Sequence, residues 1–139
     1  MDGKLAMFGA LLAWGGWGFA SRLAVVNAHP FTVQWLTAIP QILMLPLWIW
    51  LARENVPDMK PSVSTMVWAF VTCLLTVFAT LLYNTAMKSE HPSAVIAVTS
   101  AYPMVTLLLL VLLGMETFSW TQGAGCLLII IGAALVQVK

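Results

Sequence analysis

MVWAFVTCLLTVFATLLYNTAM, residues 66–87, decides the fold: it contains no Asp, Glu, Lys or Arg. The hydrocarbon core of a bilayer, about 30 Å thick, is crossed by about 20 predominantly apolar helical residues. The stretch therefore reads as a transmembrane helix. Its polar residues are ordered. At about 100° per residue, Thr72, Thr76, Thr80 and Tyr83 share a stripe about 80° wide, with Asn84 beside it. Working outward, four further segments have the same character, roughly 5–26, 31–51, 92–113 and 119–138. The expectation is an all-α membrane protein, with residues 1–139 forming one domain of five transmembrane helices.

Little chain is left for connections. Asn27–Pro30 closes the first turn, Arg53–Pro61 is the one polar loop, Lys88–Pro92 is the third turn and Gly114–Phe118 the fourth. Short connections imply antiparallel neighbours. Pro30, Pro61 and Pro92 are expected at helix starts, where a missing N–H costs least. The first segment differs from a secretory signal, whose apolar region is about 7–15 residues behind a positive flank. Here the run is longer, and Asp2 and Lys4 in front of it cancel.

Composition agrees. Charged residues are 8% of the chain and hydrophobic ones 61%, with mean hydropathy +0.95. A soluble domain carries about 25% charged residues to cover its surface. This balance excludes a soluble enzyme and a disordered chain. Six Lys/Arg against five Asp/Glu provide no basic patch for nucleic acid. Cys73 and Cys126 lie inside apolar runs, without metal or disulfide spacing, and read as small buried hydrophobes. Nothing in the pattern calls for a cofactor, and no nucleophile–base pair or metal cluster is visible.

Polar side chains on a lipid-embedded helix face protein or water. Besides the 66–87 stripe, Thr99, Tyr102, Pro103 and Thr106 share a face of the fourth span. Gln34, Thr37 and Gln41 align on the second, and Trp14, Trp17, Gly18 and Ser21 on the first. One reading is interhelical glue, in which Thr and Gln bond across helix contacts. The other is a shared polar cavity, which four such stripes together favour. Trp48, Trp50, Trp68 and Trp120 suit an interfacial belt, whereas Trp14, Trp17 and Tyr102 lie deeper. Pro103 has no N–H for the carbonyl of Thr99 and is expected to kink the span beside Ser100. Pro40 and Pro46 are expected to do the same in the second span. Small residues at Gly16, Ala20 and Ala24, and at Gly125 and Gly132, mark close-packing faces. Arg22 either snorkels to the interface or faces the cavity. No acid occupies the middle of any span, which argues against a buried carboxylate as proton carrier.

Tyr83-Asn84-Thr85-Ala86, His91-Pro92-Ser93-Ala94, Tyr102-Pro103-Met104-Val105-Thr106, Gly114-Met115-Glu116 and the Gly123–Gly132 helix together resemble the EamA-type repeat of the drug/metabolite transporter superfamily. Trp14-Gly15, Phe19 and Arg22 look like that repeat's first helix, so the resemblance covers essentially the whole chain. It implies passage of small metabolites, amino acids or drugs through a central cavity. Most members carry two repeats, giving ten helices with the second half inverted, and this chain holds one. It is similar to five-helix, single-repeat members of bacteria and archaea, which implies the prokaryotic inner membrane. A more distant likeness to four-helix small multidrug exporters lacks their first-helix carboxylate, since Trp14 lies mid-helix here.

The reading that follows is a transporter of small organic solutes, working by alternating access in an antiparallel homodimer. Thr76, Thr80, Tyr83, Asn84, Thr99, Ser100 and Tyr102 would supply hydrogen bonds. Trp14 and Trp17 would supply an apolar or cation–π wall. The rivals are a multidrug proton antiporter using Glu116, and a non-transporting membrane subunit beside a larger partner. Orientation follows the Lys/Arg bias of short loops. Lys4, Arg53 and Lys60 fall on one side, Arg22, Lys88 and Lys139 on the other. Three against three predicts insertion both ways round.

Overall fold

The proline positions explain where the helices start and break. In the computed structural model, which describes residues 3–55 and 61–137, the chain forms α1 (Gly3–Val26), α2 (Pro30–Leu43), α3 (Leu45–Asn55), α4 (Val63–Ser89), α5 (Pro92–Thr99), α6 (Tyr102–Leu112) and α7 (Trp120–Gln137). No strand occurs among the described residues. Asp2, Lys60, Val138 and Lys139, used in the reading above, lie outside them.

Each expected span falls on helix, but two spans are broken. α2 and α3 meet at Met44 with a 42° bend. Pro46 is the second residue of α3, and its ring cannot be accommodated against the carbonyl of Ile42 in a continuing helix. α5 and α6 repeat the device: the chain turns at Ser100–Ala101 and restarts with Tyr102-Pro103. There Met104 N–H reaches only three residues back, to the Ala101 carbonyl at 3.1 Å. Pro40, by contrast, is carried inside α2.

Val63–Ser89 and Pro92–Leu112 are each long and apolar enough to cross a membrane, and α2 with α3 makes a third such span if counted as one. α7 is apolar but shorter, over Trp120–Val136. α1 has the length, 24 residues. The Trp-Gly-Gly-Trp-Gly run at 14–18 dilutes its apolar character.

The helix ends are made locally. Pro30 and Pro92 are first helical residues behind His29 and His91. The His29 ring accepts the Phe31 N–H through Nδ1 at 3.4 Å and stacks on the Phe31 ring at 5.5 Å. Pro61 instead precedes the cap of α4, which is Ser62, whose Oγ accepts the Thr65 N–H at 3.1 Å. α6 ends where Gly114 adopts φ 68°, with Met115 N–H returning to the Leu110 carbonyl and Gly114 N–H to that of Val111. This Schellman closure needs the left-handed conformation that glycine adopts without penalty.

Contacts group the chain into two units, Phe19–Lys88 and Met1–Gly18 with Ser89–Lys139. In the first, Val25 and Met87 are fully buried, Val33 nearly so, and Ser21 and Asn84 are the buried polar residues. Ser21 Oγ donates to Asn84 Oδ1 at 2.5 Å, Arg22 Nη1 donates to the Met87 carbonyl, and Lys88 Nζ donates to the Ala28 carbonyl at 2.6 Å. The C-terminal ends of α1 and α4 therefore lie together. Two helix C-termini side by side place two negative dipole ends together; Arg22 offsets that of α4 through Met87, and Lys88 reaches the turn that follows α1 at Ala28.

In the second unit α5 packs on α7 and buries Val95. α6 and α7 border an apolar groove of about 480 Å³, lined by Met104, Leu108, Val111, Cys126 and Leu127 among others. Phe118 closes one part of it. A Cβ on Gly123 would stand 2.7 Å from Cζ of Phe118, so Gly123 is what lets the tip of that ring approach α7.

Large apolar side chains, Phe70, Phe78 and Leu82 on α4 and Leu127, Leu128 and Leu135 on α7 among them, are exposed. Apolar exposure continuous over helix after helix is the surface of a chain solvated by lipid.

Candidate substrate-binding faces

α4 carries its polar stripe for a reason visible in the hydrogen bonds. Thr72 Oγ1 donates to the Trp68 carbonyl at 2.9 Å, and Thr76 Oγ1 to that of Thr72 at 2.8 Å. Thr80 Oγ1 donates to the Thr76 carbonyl at 2.8 Å and to that of Val77 at 3.0 Å. Such back-bonding satisfies a hydroxyl inside its own helix and removes the need for a partner helix. Thr72 and Thr76 are exposed and Thr80 is half-buried. The stripe is thus an uncovered polar face within an apolar helix.

At the lower end of the stripe the situation changes. Tyr83 is half-buried. Asn84 is 3% exposed and its Oδ1 is taken by Ser21. The structure assigns that carbonyl oxygen to the α1–α4 contact, the glue role weighed for the stripes as a group. The partner, Ser21, is on the Trp14/Trp17 face of the first span, so one signal for the contact was present in the sequence. Arg22 caps α4 through the Met87 carbonyl. No spacing rule links residues 65 positions apart, and this clasp was not legible beforehand.

In the other unit, Thr99 Oγ1 donates to the Val95 carbonyl at 2.8 Å, Ser100 Oγ to that of Ile96 at 2.7 Å and Thr106 Oγ1 to that of Tyr102 at 3.4 Å. Thr99, Ser100 and Tyr102 are exposed and sit at the α5–α6 break. Trp14 and Trp17 meet edge to face, centroids 5.4 Å apart, with Trp14 exposed and Trp17 half-buried. Such pairs present a π-face to one side while the second ring braces the first.

Glu116 belongs to the turn before α7. Gln122 Nε2 donates to Glu116 Oε1 at 2.7 Å, and Gln122 Oε1 accepts the Ser119 N–H at 3.2 Å. This is the Gln arm of a capping box, with a carboxylate held at a helix N-terminus where the dipole favours it. On α2, Thr37 Oγ1 donates to the Gln34 carbonyl at 2.8 Å. Gln34 Oε1 is enclosed without a hydrogen-bond partner among the described residues. No group of His, Cys, Asp and Glu suited to a metal ion occurs among the described residues.

An all-α chain with lipid-solvated helices and hydroxyl-bearing faces is an integral membrane protein. The EamA-like transporter family matches residues 1–138, and the chain belongs to that family. Its members are transporters, and a transporter-type function follows. No curated protein and no solved structure matches the chain.

Proposed function

We propose that the protein moves small organic solutes, such as amino acids or other metabolites, across the prokaryotic inner membrane by alternating access, as an antiparallel homodimer of five-span chains. The observation that carries this reading is the uncovered hydroxyl face of α4. A face whose hydroxyls are already satisfied has no structural need to be polar, and lipid does not reward it. A passing solute does. Trp14 and Trp17, Thr76, Thr80 and Tyr83, and Thr99, Ser100 and Tyr102 are the residues assigned to the solute, with Asn84 bracing the end of the stripe. Two copies are needed because five helices are too few to surround a solute path.

Reconstitution of the purified chain alone into proteoliposomes, followed by counterflow of radiolabelled amino acids and related metabolites, tests the reading. Saturable counterflow is expected. Flux that appears only with a proton gradient and disappears in Glu116→Gln would establish the antiporter instead. Absence of flux for every solute with a correctly folded chain would leave a membrane subunit that serves a larger partner.

A further inference from the structure

We infer that the α4 face formed by Thr72, Thr76 and Thr80 receives an amine or ammonium group through its N–H donors and excludes solutes whose only polar group is a carboxylate; the inference deepens the transport reading and rests on it for the claim that solute reaches this face. Each hydroxyl has one hydrogen, and in all three it is committed to a carbonyl of the same helix. What the oxygens turn outward is lone pairs. Three acceptors therefore recur once per turn, about 6 Å apart along the axis, with no donor offered in exchange. From Val63 to Met87 the helix has no Lys or Arg. A carboxylate, which only accepts, would face acceptors and would have to draw each hydroxyl off its own carbonyl. An ammonium, which only donates, finds every station ready, and successive stations give it a way along the span. A further acceptor in the same unit, the enclosed Gln34 Oε1, has no hydrogen-bond partner among the described residues. The polarity is built into α4 itself and holds however the rest of the chain is arranged around it.

The test uses the full-length protein in mild detergent, titrated with propylammonium, tetramethylammonium and propionate while thermal unfolding is followed, since a ligand that binds the folded state raises its apparent stability. Propylammonium is expected to raise the unfolding temperature saturably. Tetramethylammonium, with the same charge and no N–H, and propionate are expected to do so far less. Replacing Thr72, Thr76 and Thr80 together by Val removes the acceptors at nearly constant shape and should weaken propylammonium binding by about tenfold. The corresponding Ser variant keeps the oxygens and should restore it. Equal binding of propionate or tetramethylammonium, absence of propylammonium binding, or a folded Val variant that binds unchanged would each overturn the inference. If the Val variant does not fold, the three-ligand comparison on the unaltered protein decides. Counterflow separates this result from the transport reading. Propylammonium binding without flux of any solute upholds the acceptor face and removes transport. Flux confined to solutes whose only polar group is a carboxylate upholds transport and removes the acceptor face.

Discussion

Asn84 and Ser21 show how one polar pair is made to serve in an apolar unit. Their hydrogen bond joins α1 to α4 among Val25 and Met87, both fully buried. Removing one partner leaves the other enclosed and unpaired, which costs about 1–3 kcal/mol. Asn84→Ala is therefore expected to destabilise the folded chain by about that amount in detergent unfolding. A double-mutant cycle with Ser21→Ala should return a coupling of about 0.6 kcal/mol, and at most about 1.7. Zero coupling would mean the contact contributes nothing. Glu116 behaves differently. It lies in an exposed turn and accepts from Gln122. Glu116→Gln should fold and keep measurable transport. Complete loss of transport with folding intact would identify it as the proton carrier.

At the scale of elements, α2–α3 and α5–α6 are both spans interrupted just before an X-Pro restart. The interruption at Ser100–Ala101 sits beside the exposed hydroxyls of Thr99 and Ser100, because Pro103 withholds the N–H that the Thr99 carbonyl would otherwise receive. Pro103→Ala supplies that donor. It is expected to join α5 to α6, to stabilise the chain by about 1 kcal/mol in thermal unfolding, and to slow transport. A destabilised variant with unchanged flux would show the break to be a packing feature. The stripe of α4 is tested separately. In a background lacking Cys73 and Cys126, Thr72→Cys, Thr76→Cys and Thr80→Cys should react with water-soluble thiol reagents faster than Leu75→Cys and Leu82→Cys. Equal rates would make the stripe a dry surface.

For the whole molecule, orientation is the open property that charge governs. Arg22 and Lys88 lie at the same end of their unit, as the clasp between the ends of α1 and α4 requires. Under the proposed antiparallel dimer, the three-against-three Lys/Arg count of the sequence should give insertion no preferred direction. C-terminal reporter fusions are expected to be active on both sides of the membrane. Two or three added lysines near the C-terminus should force one orientation and abolish transport, and co-expression of an oppositely biased variant should restore it. One clean orientation of the unaltered chain would remove the antiparallel dimer.

The sequence by itself determined that the chain is helical and membrane-embedded, where its apolar segments run, and which faces carry hydroxyls. Those properties follow from composition and a 3.6-residue period, both local. The Gly114 turn and the helix starts at Pro30 and Pro92 were local as well. Two of the expected spans, α1 and α7, are helical yet less apolar or shorter than α4. Only the tertiary structure decided how each polar residue on a face is used. Thr76 and Asn84 belong to neighbouring registers of one helix, but Thr76 is satisfied by its own backbone and exposed, whereas Asn84 is buried against Ser21. The same holds for Arg22 and Lys88, whose partners are carbonyls at the far ends of the unit's sequence. A hydroxyl can find its acceptor one turn away, so periodicity reveals it. A carboxamide or a guanidinium needs a partner from another helix, and no spacing along the chain names which helix that is.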